Sequence, residues 1–164
     1  MSPVYPFESR RIPLNRKDDV VHRSLWIFVP ASGDRSVELR VAARLENLAV
    51  LRTLVAAAAT FEDLDIDSVA DLRLAVDEAC TRLIRSATPE SVLVVQIDPG
   101  DEAVTVHAST TCEGDDAVVA PDSFSWHVLR SLVSDVRTFA NGQHAGGGHV
   151  VGISLTARRV GLLQ

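Results

Sequence analysis

The stretch from Asp67 to Thr88, DSVADLRLAVDEACTRLIRSAT, constrains the fold more than any other part of the chain. Val69, Leu72, Val76, Ala79, Cys80, Leu83 and Ala87 recur at helical spacing, and at about 100° per residue they share one side. Asp71, Glu78, Arg82 and Arg85 fall on another side. Asp67 or Ser68 suits the N-cap, Asp71 complements the helix dipole, and Pro89 ends the helix. An amphipathic helix this long needs an apolar layer to lie on, and the rest of the chain has to supply it.

The flanking segments read as strands and further helices. Val37–Val41 alternates apolar and polar residues, as a half-exposed strand does. Ala43–Thr60 is helical, with Leu45, Leu48, Ala49, Leu51, Leu54 and Val55 at the right spacing. Ser91–Asp98 and Ala103–Ala108 form a hairpin around Pro99-Gly100-Asp101. Thr110–Pro121 is polar and acidic and reads as a loop. Ser123–Ser134 reads as a short helix with Phe124, Val128, Leu129, Leu132 and Val133 on its apolar side. Val136–Phe139 reads as a strand, Asn141-Gly142 as a turn and His149–Ala157 as the last strand.

Strands in runs, with helices segregated from them, predict an α+β fold. The expected architecture is a two-layer α/β sandwich with helices on one face of a mostly antiparallel sheet. Residues 1–34 carry Pro3, Pro6, Pro13 and Pro30 without a sustained period, and read as a flexible N-terminal extension. Their apolar run Leu25–Val29 is expected to dock on the body or to add an edge strand. The domain then covers 35–158, and 159–164 is a C-terminal tail.

Composition removes several function classes. A chain of 164 residues is one domain by length. Its net charge of −6 opposes nucleic-acid binding through phosphate contacts and suits a basic partner. No run approaches the roughly 18–20 apolar residues of a membrane span. Cys80, in mid-helix among apolar residues, reads as a buried free thiol. The expectation is a reduced, cytoplasmic protein.

Residues with chemistry are few. Glu78 and Arg82 stand four apart, the spacing of a surface ion pair worth about 0.3–0.5 kcal/mol and equally of an acid–base pair. His107, His127, His144 and His149, with Cys112, match no tetrahedral ligand pattern, so no metal site is expected. Gly146-Gly147-Gly148 lacks the Gly-Lys-Ser/Thr of a phosphate loop. Glu113-Gly-Asp-Asp116 reads as a solvated loop, and no nucleophile elbow surrounds Ser125, His127 or Asp135. The acidic run Glu62, Asp63, Asp65, Asp67, Asp71 and Asp77 is either a solvated face or a docking surface for a basic segment.

This order of elements resembles the anti-sigma-factor kinases of the RsbW type, in the GHKL (Bergerat-fold) ATPase superfamily. The resemblance is carried by Leu72-Arg-Leu-Ala-Val-Asp-Glu-Ala-Cys-Thr81, Leu45-Glu-Asn-Leu-Ala-Val-Leu-Arg52, Ser131-Leu-Val-Ser-Asp-Val136 and Gly147-Gly-His-Val150. It covers about residues 35–158. It implies a protein that binds an alternative sigma factor of the sigma-F or sigma-B type and blocks its access to RNA polymerase. An anti-anti-sigma (STAS-type) protein would antagonise it. Many such proteins phosphorylate that antagonist on serine with ATP and Mg²⁺, and homodimers are common among them.

The resemblance makes Glu78 the counterpart of the family's catalytic glutamate and, with Arg82, a nucleotide-contacting residue. The asparagine that holds Mg²⁺ one turn later is Arg82 here, and a guanidinium cannot ligate a metal. Arg82 is expected either to close the site by pairing with Glu78 or to contact phosphate without Mg²⁺. Ala108–Gly114 offers no aspartate and no glycine pair where the family reads adenine, and Ser123-Phe-Ser-Trp126 replaces the glycines of the nucleotide lid. The resulting expectation is a binding module with weak or atypical use of ATP. The alternative is an ATP-dependent serine kinase with Glu78 as general base.

Overall fold

The computed structural model describes residues 35–113, 118–143 and 148–161. The expectations for residues 1–34, for residues 114–116 of the acidic loop, for His144, for Gly146-Gly147 and for residues 162–164 of the tail lie outside the described residues. The elements are β1 (Val37–Ala42), α1 (Leu48–Phe61), α2 (Ile66–Ser86), β2 (Val92–Pro99), β3 (Ala103–Cys112), α3 (Phe124–Leu132), β4 (Asp135–Gln143) and β5 (His149–Arg158). The strands form one sheet in the order β1-β2-β3-β5-β4, with every neighbouring pair antiparallel.

Alternation along the strands sends one set of side chains to the helices. Leu93, Val95 and Ile97 of β2, Val106 of β3 and Ile153 and Leu155 of β5 meet Leu51 and Val55 of α1 in one core. Leu72, Val76, Ala79 and Leu83 of α2 fill its centre. This is the α+β sandwich expected from the sequence.

Helix α2 begins earlier than its pattern suggests. Its N-cap is Asp65, not Asp67 or Ser68: the Asp65 carboxylate accepts from Ser68 N at 2.9 Å and from Ser68 Oγ at 2.6 Å. Helix α1 begins later, because Leu45–Asn47 forms a 3₁₀ turn in which Asn47 Nδ2 donates to Ala42 O at 2.8 Å. That turn redirects the chain from the sheet into the helical layer.

The sheet is longer than the sequence suggests. Residues Thr110–Cys112, which read as loop, continue β3 because Val150, Val151 and His149 of β5 pair with them. Asn141, expected in a turn, lies in β4, and a register shift between Asn141 and Gln143 absorbs the irregularity. Phe139 of β4 lies over Gly152 of β5. A Cβ on Gly152 would collide with the Phe139 ring and come within 2.7 Å of Ala108 O.

Phe124, expected on the apolar side of α3, is 81% exposed, whereas Ser125 is only 4% exposed. The Ser123 cap accepts from Trp126 N at 3.2 Å and sets the first turn so that Ser125 faces α2.

One polar cluster closes the end of the sandwich. Glu62, 5% exposed, accepts from Arg35 Nη1 at 2.9 Å and from Arg159 Nη2 at 3.0 Å. Arg159 also donates to Glu62 O at 2.7 Å and to Asp101 O at 2.6 Å. The residue that opens the expected C-terminal tail therefore ties α1 to the β2–β3 hairpin.

Candidate functional site

Glu78 and Arg82 lie one turn apart on the side of α2 that meets α3. Arg82 Nε donates to Glu78 Oε1 at 2.9 Å. Ser125 Oγ donates to the same oxygen at 2.7 Å. The expected Glu78–Arg82 pair is thus formed, and it gains a buried hydroxyl that sequence reasoning did not find. The one hint of Ser125 was its place in Ser123–Trp126, where the resemblance puts a nucleotide lid. Nothing local marks a serine in an N-capped helix as a carboxylate partner.

The electrostatics follow from that geometry. The Ser125 hydrogen bond has the largest effect on the Glu78 carboxyl and holds its pKa below the ordinary value. Partial burial opposes the shift, while the hydrogen bond and charge of Arg82 and the charge of Arg85 add to it. The carboxylate is ionised at neutral pH, and an acid made stronger in this way is a weaker proton acceptor. Beside it, Arg52 Nε holds Asp77 Oδ1 at 2.7 Å and pins α1 against α2.

These residues do not fit a magnesium ion. A guanidinium and a hydroxyl both present hydrogen to Glu78 Oε1, and the Arg82 charge repels a second cation where the ion needs oxygen ligands. Among the described residues no three His, Cys, Asp or Glu side chains are arranged to hold a metal ion. Ala108–Cys112, where the resemblance calls for an adenine-reading loop, is β-ladder paired with β5.

The remaining candidates scatter. His107 lies on the sheet face away from the helices, with Nδ1 2.7 Å from Ser154 Oγ. Burial pushes its pKa down, and Asp98 opposes that shift. Asp135 pairs with Arg137 at 2.7 Å, and Ser125 bonds Glu78, so Ser125, His127 and Asp135 form no triad. Cys80 and Cys112 are buried free thiols, and burial, with the Asp77 charge adding, pushes Cys80 up to about 12. The acidic run is not one continuous solvated face. Glu62 is buried between two arginines, Asp65 caps α2 and Asp77 is bound by Arg52.

An antiparallel sheet backed on one face by helices, with an ionised glutamate on the central helix, defines a class of domain. Residues 41–142 match the histidine kinase-like ATPase domain, and the chain belongs to that family. Within it, the chain is similar to the anti-sigma-F factor RsbW of Mycobacterium tuberculosis. The proteins from two strains are each 63% identical over 128 residues, 77% of this chain and 76% of theirs. The structure is also similar to the RsbU and RsbW domains of a further M. tuberculosis protein. That match has a TM-score of 0.48 and 17% identity, over 77% of this chain and 34% of the other.

Proposed function

We propose that this chain is an anti-sigma factor: it binds and sequesters an alternative sigma factor of the sigma-F or sigma-B type and so withholds it from RNA polymerase. The 63% identity to the M. tuberculosis anti-sigma-F factors carries this reading. An anti-anti-sigma protein of the STAS type releases the sigma factor by competing for the same surface. The protein acts in the cytoplasm, where its partner meets the polymerase, and assembles as a homodimer.

The ties on Glu78 support work by binding rather than by catalysis. Phosphoryl transfer rests on positioning and on neutralising charge, commonly with metal ions. Here Arg82 takes the metal's place, closing the site against Glu78 or meeting a phosphate directly, so ATP binds weakly and without Mg²⁺. Purified sigma-F of M. tuberculosis is the first probe, titrated with the full chain; a stable complex is expected, and no binding overturns the proposal. Tight ATP binding that is lost in EDTA would overturn the role given to Arg82.

The second reading is a serine kinase, supported by the match of residues 41–142 to the histidine kinase-like ATPase domain. Radiolabelled ATP with a STAS-type antagonist tests it. Phosphate transferred to an antagonist serine, and lost in Glu78→Gln, would establish that reading.

A further inference from the structure

Helix α1, LAVLRTLVAAAATF, is apolar nearly all the way round, with only Arg52, Thr53 and Thr60 polar. A helix of that composition is ordinarily buried on every side. In this chain only Leu48, Leu51, Val55 and Ala59 are buried. Val50, Leu54, Ala57 and Phe61 form a second ridge, about 135° round the helix from the first; Val50, Ala57 and Phe61 are exposed, and Leu54 is half-buried against the core. Phe61, at its end, is 81% exposed, and Ile66, across the short connection to α2, is 87% exposed.

The connection at this end of the ridge is acidic. Asp63, Asp65 and Asp67 are exposed, and no ion pair among the described residues involves them. The last carbonyls of α1 add partial negative charge. Apolar surface exposed on this scale marks a contact site, and a negative end selects positive charge beside the partner's apolar side.

We infer that the ridge from Val50 to Phe61, extended by Ile66, receives an amphipathic helix of the sigma factor, with that helix's Lys or Arg residues over Asp63 and Asp67. The inference rests on the anti-sigma reading and adds the surface to it. Residues spaced four and three apart make the ridge that a second helix packs against. A second copy of this chain, carrying the same net charge of −6, is the poorer match.

The test uses the full chain and purified M. tuberculosis sigma-F. Phe61→Ser with Ile66→Ser removes only exposed apolar groups, and circular dichroism checks that the fold is kept. Binding is expected to weaken at least about tenfold. Asp63→Asn with Asp67→Asn is expected to slow association several-fold at low salt and to have little effect at about 0.5 M salt. Asparagine tolerates the φ of 58° at residue 63. Leu74→Ser, an exposed position elsewhere on α2, is the control and leaves binding unchanged.

Wild-type protein that fails to bind sigma-F removes the anti-sigma reading, and the ridge assignment with it. Wild-type binding that the Phe61/Ile66 variant matches overturns the ridge assignment alone. Lost self-association with sigma binding intact gives the ridge to a second copy, which also overturns it.

Discussion

Ser125 of α3 donates to Glu78 of α2 at 2.7 Å, joining residues 47 apart in the chain through a single carboxylate oxygen. That bond fixes the docking of α3 and the acidity of the glutamate together. Ser125→Ala is expected to raise the Glu78 pKa toward its ordinary 4.5, read by NMR titration of the carboxyl carbon. It should also lower stability by about 1 kcal/mol. Because the folded pKa is depressed, the stabilisation is full above the unfolded value and is lost as pH falls through the folded one. Wild-type protein should therefore lose more stability than the variant as pH drops below about 4.5. Parallel pH curves for the two proteins would refute this role.

The Glu62 cluster separates a buried partner from an exposed one. Arg159→Ala leaves a buried carboxylate with one exposed partner and strips hydrogen bonds from three backbone carbonyls, those of Glu62, Gly100 and Asp101. A loss of about 3 kcal/mol in urea unfolding is expected. Arg35→Ala removes a mostly exposed guanidinium from the same oxygen and should cost about 0.5 kcal/mol. Equal losses would show that the cluster is not organised around Arg159.

Gly152→Ala should destabilise by about 2 kcal/mol, because its methyl group meets the Phe139 ring and the Ala108 carbonyl. Adding Phe139→Ala opens part of that space, so the double variant should lose less than the sum of the two single losses. A double-mutant cycle with no coupling would place the strain elsewhere.

With its pKa pushed to about 12, the Cys80 thiol carries almost no thiolate at pH 8. A disulfide reagent should modify it at the rate of global unfolding, measured with and without denaturant. Prompt reaction of Cys80 in the native protein would contradict its burial.

Periodicity made the core and the sandwich legible, because apolar spacing is a local property: Leu72, Val76, Ala79 and Leu83 could be placed from α2 alone. Ser125 and Arg159 were not legible, because their partners come from distant segments and leave no local trace. Phe124 was misplaced because hydrophobicity alone put it inward, whereas the Ser123 cap sets the turn and sends Ser125 inward. Thr110–Cys112 looked like loop because polar residues can still complete a ladder once β5 lies beside them. At the site, Glu78 and Arg82 were found as a pair, and the hydroxyl completing their arrangement came from a helix whose sequence carries no such pattern.

The position of β5 between β3 and β4 has a consequence for synthesis on the ribosome. Among the described strands β4 pairs only with β5, although β4 leaves the ribosome first. Until the last strand emerges, β4 has no ladder to join and β3 lacks a neighbour on one side. A chain released before residue 149 would leave β4 unpaired on both sides and β3 open on one, the condition that invites aggregation. Closure of the described sheet thus waits for β5, and a stop before it should yield material for proteolysis rather than a weakened regulator.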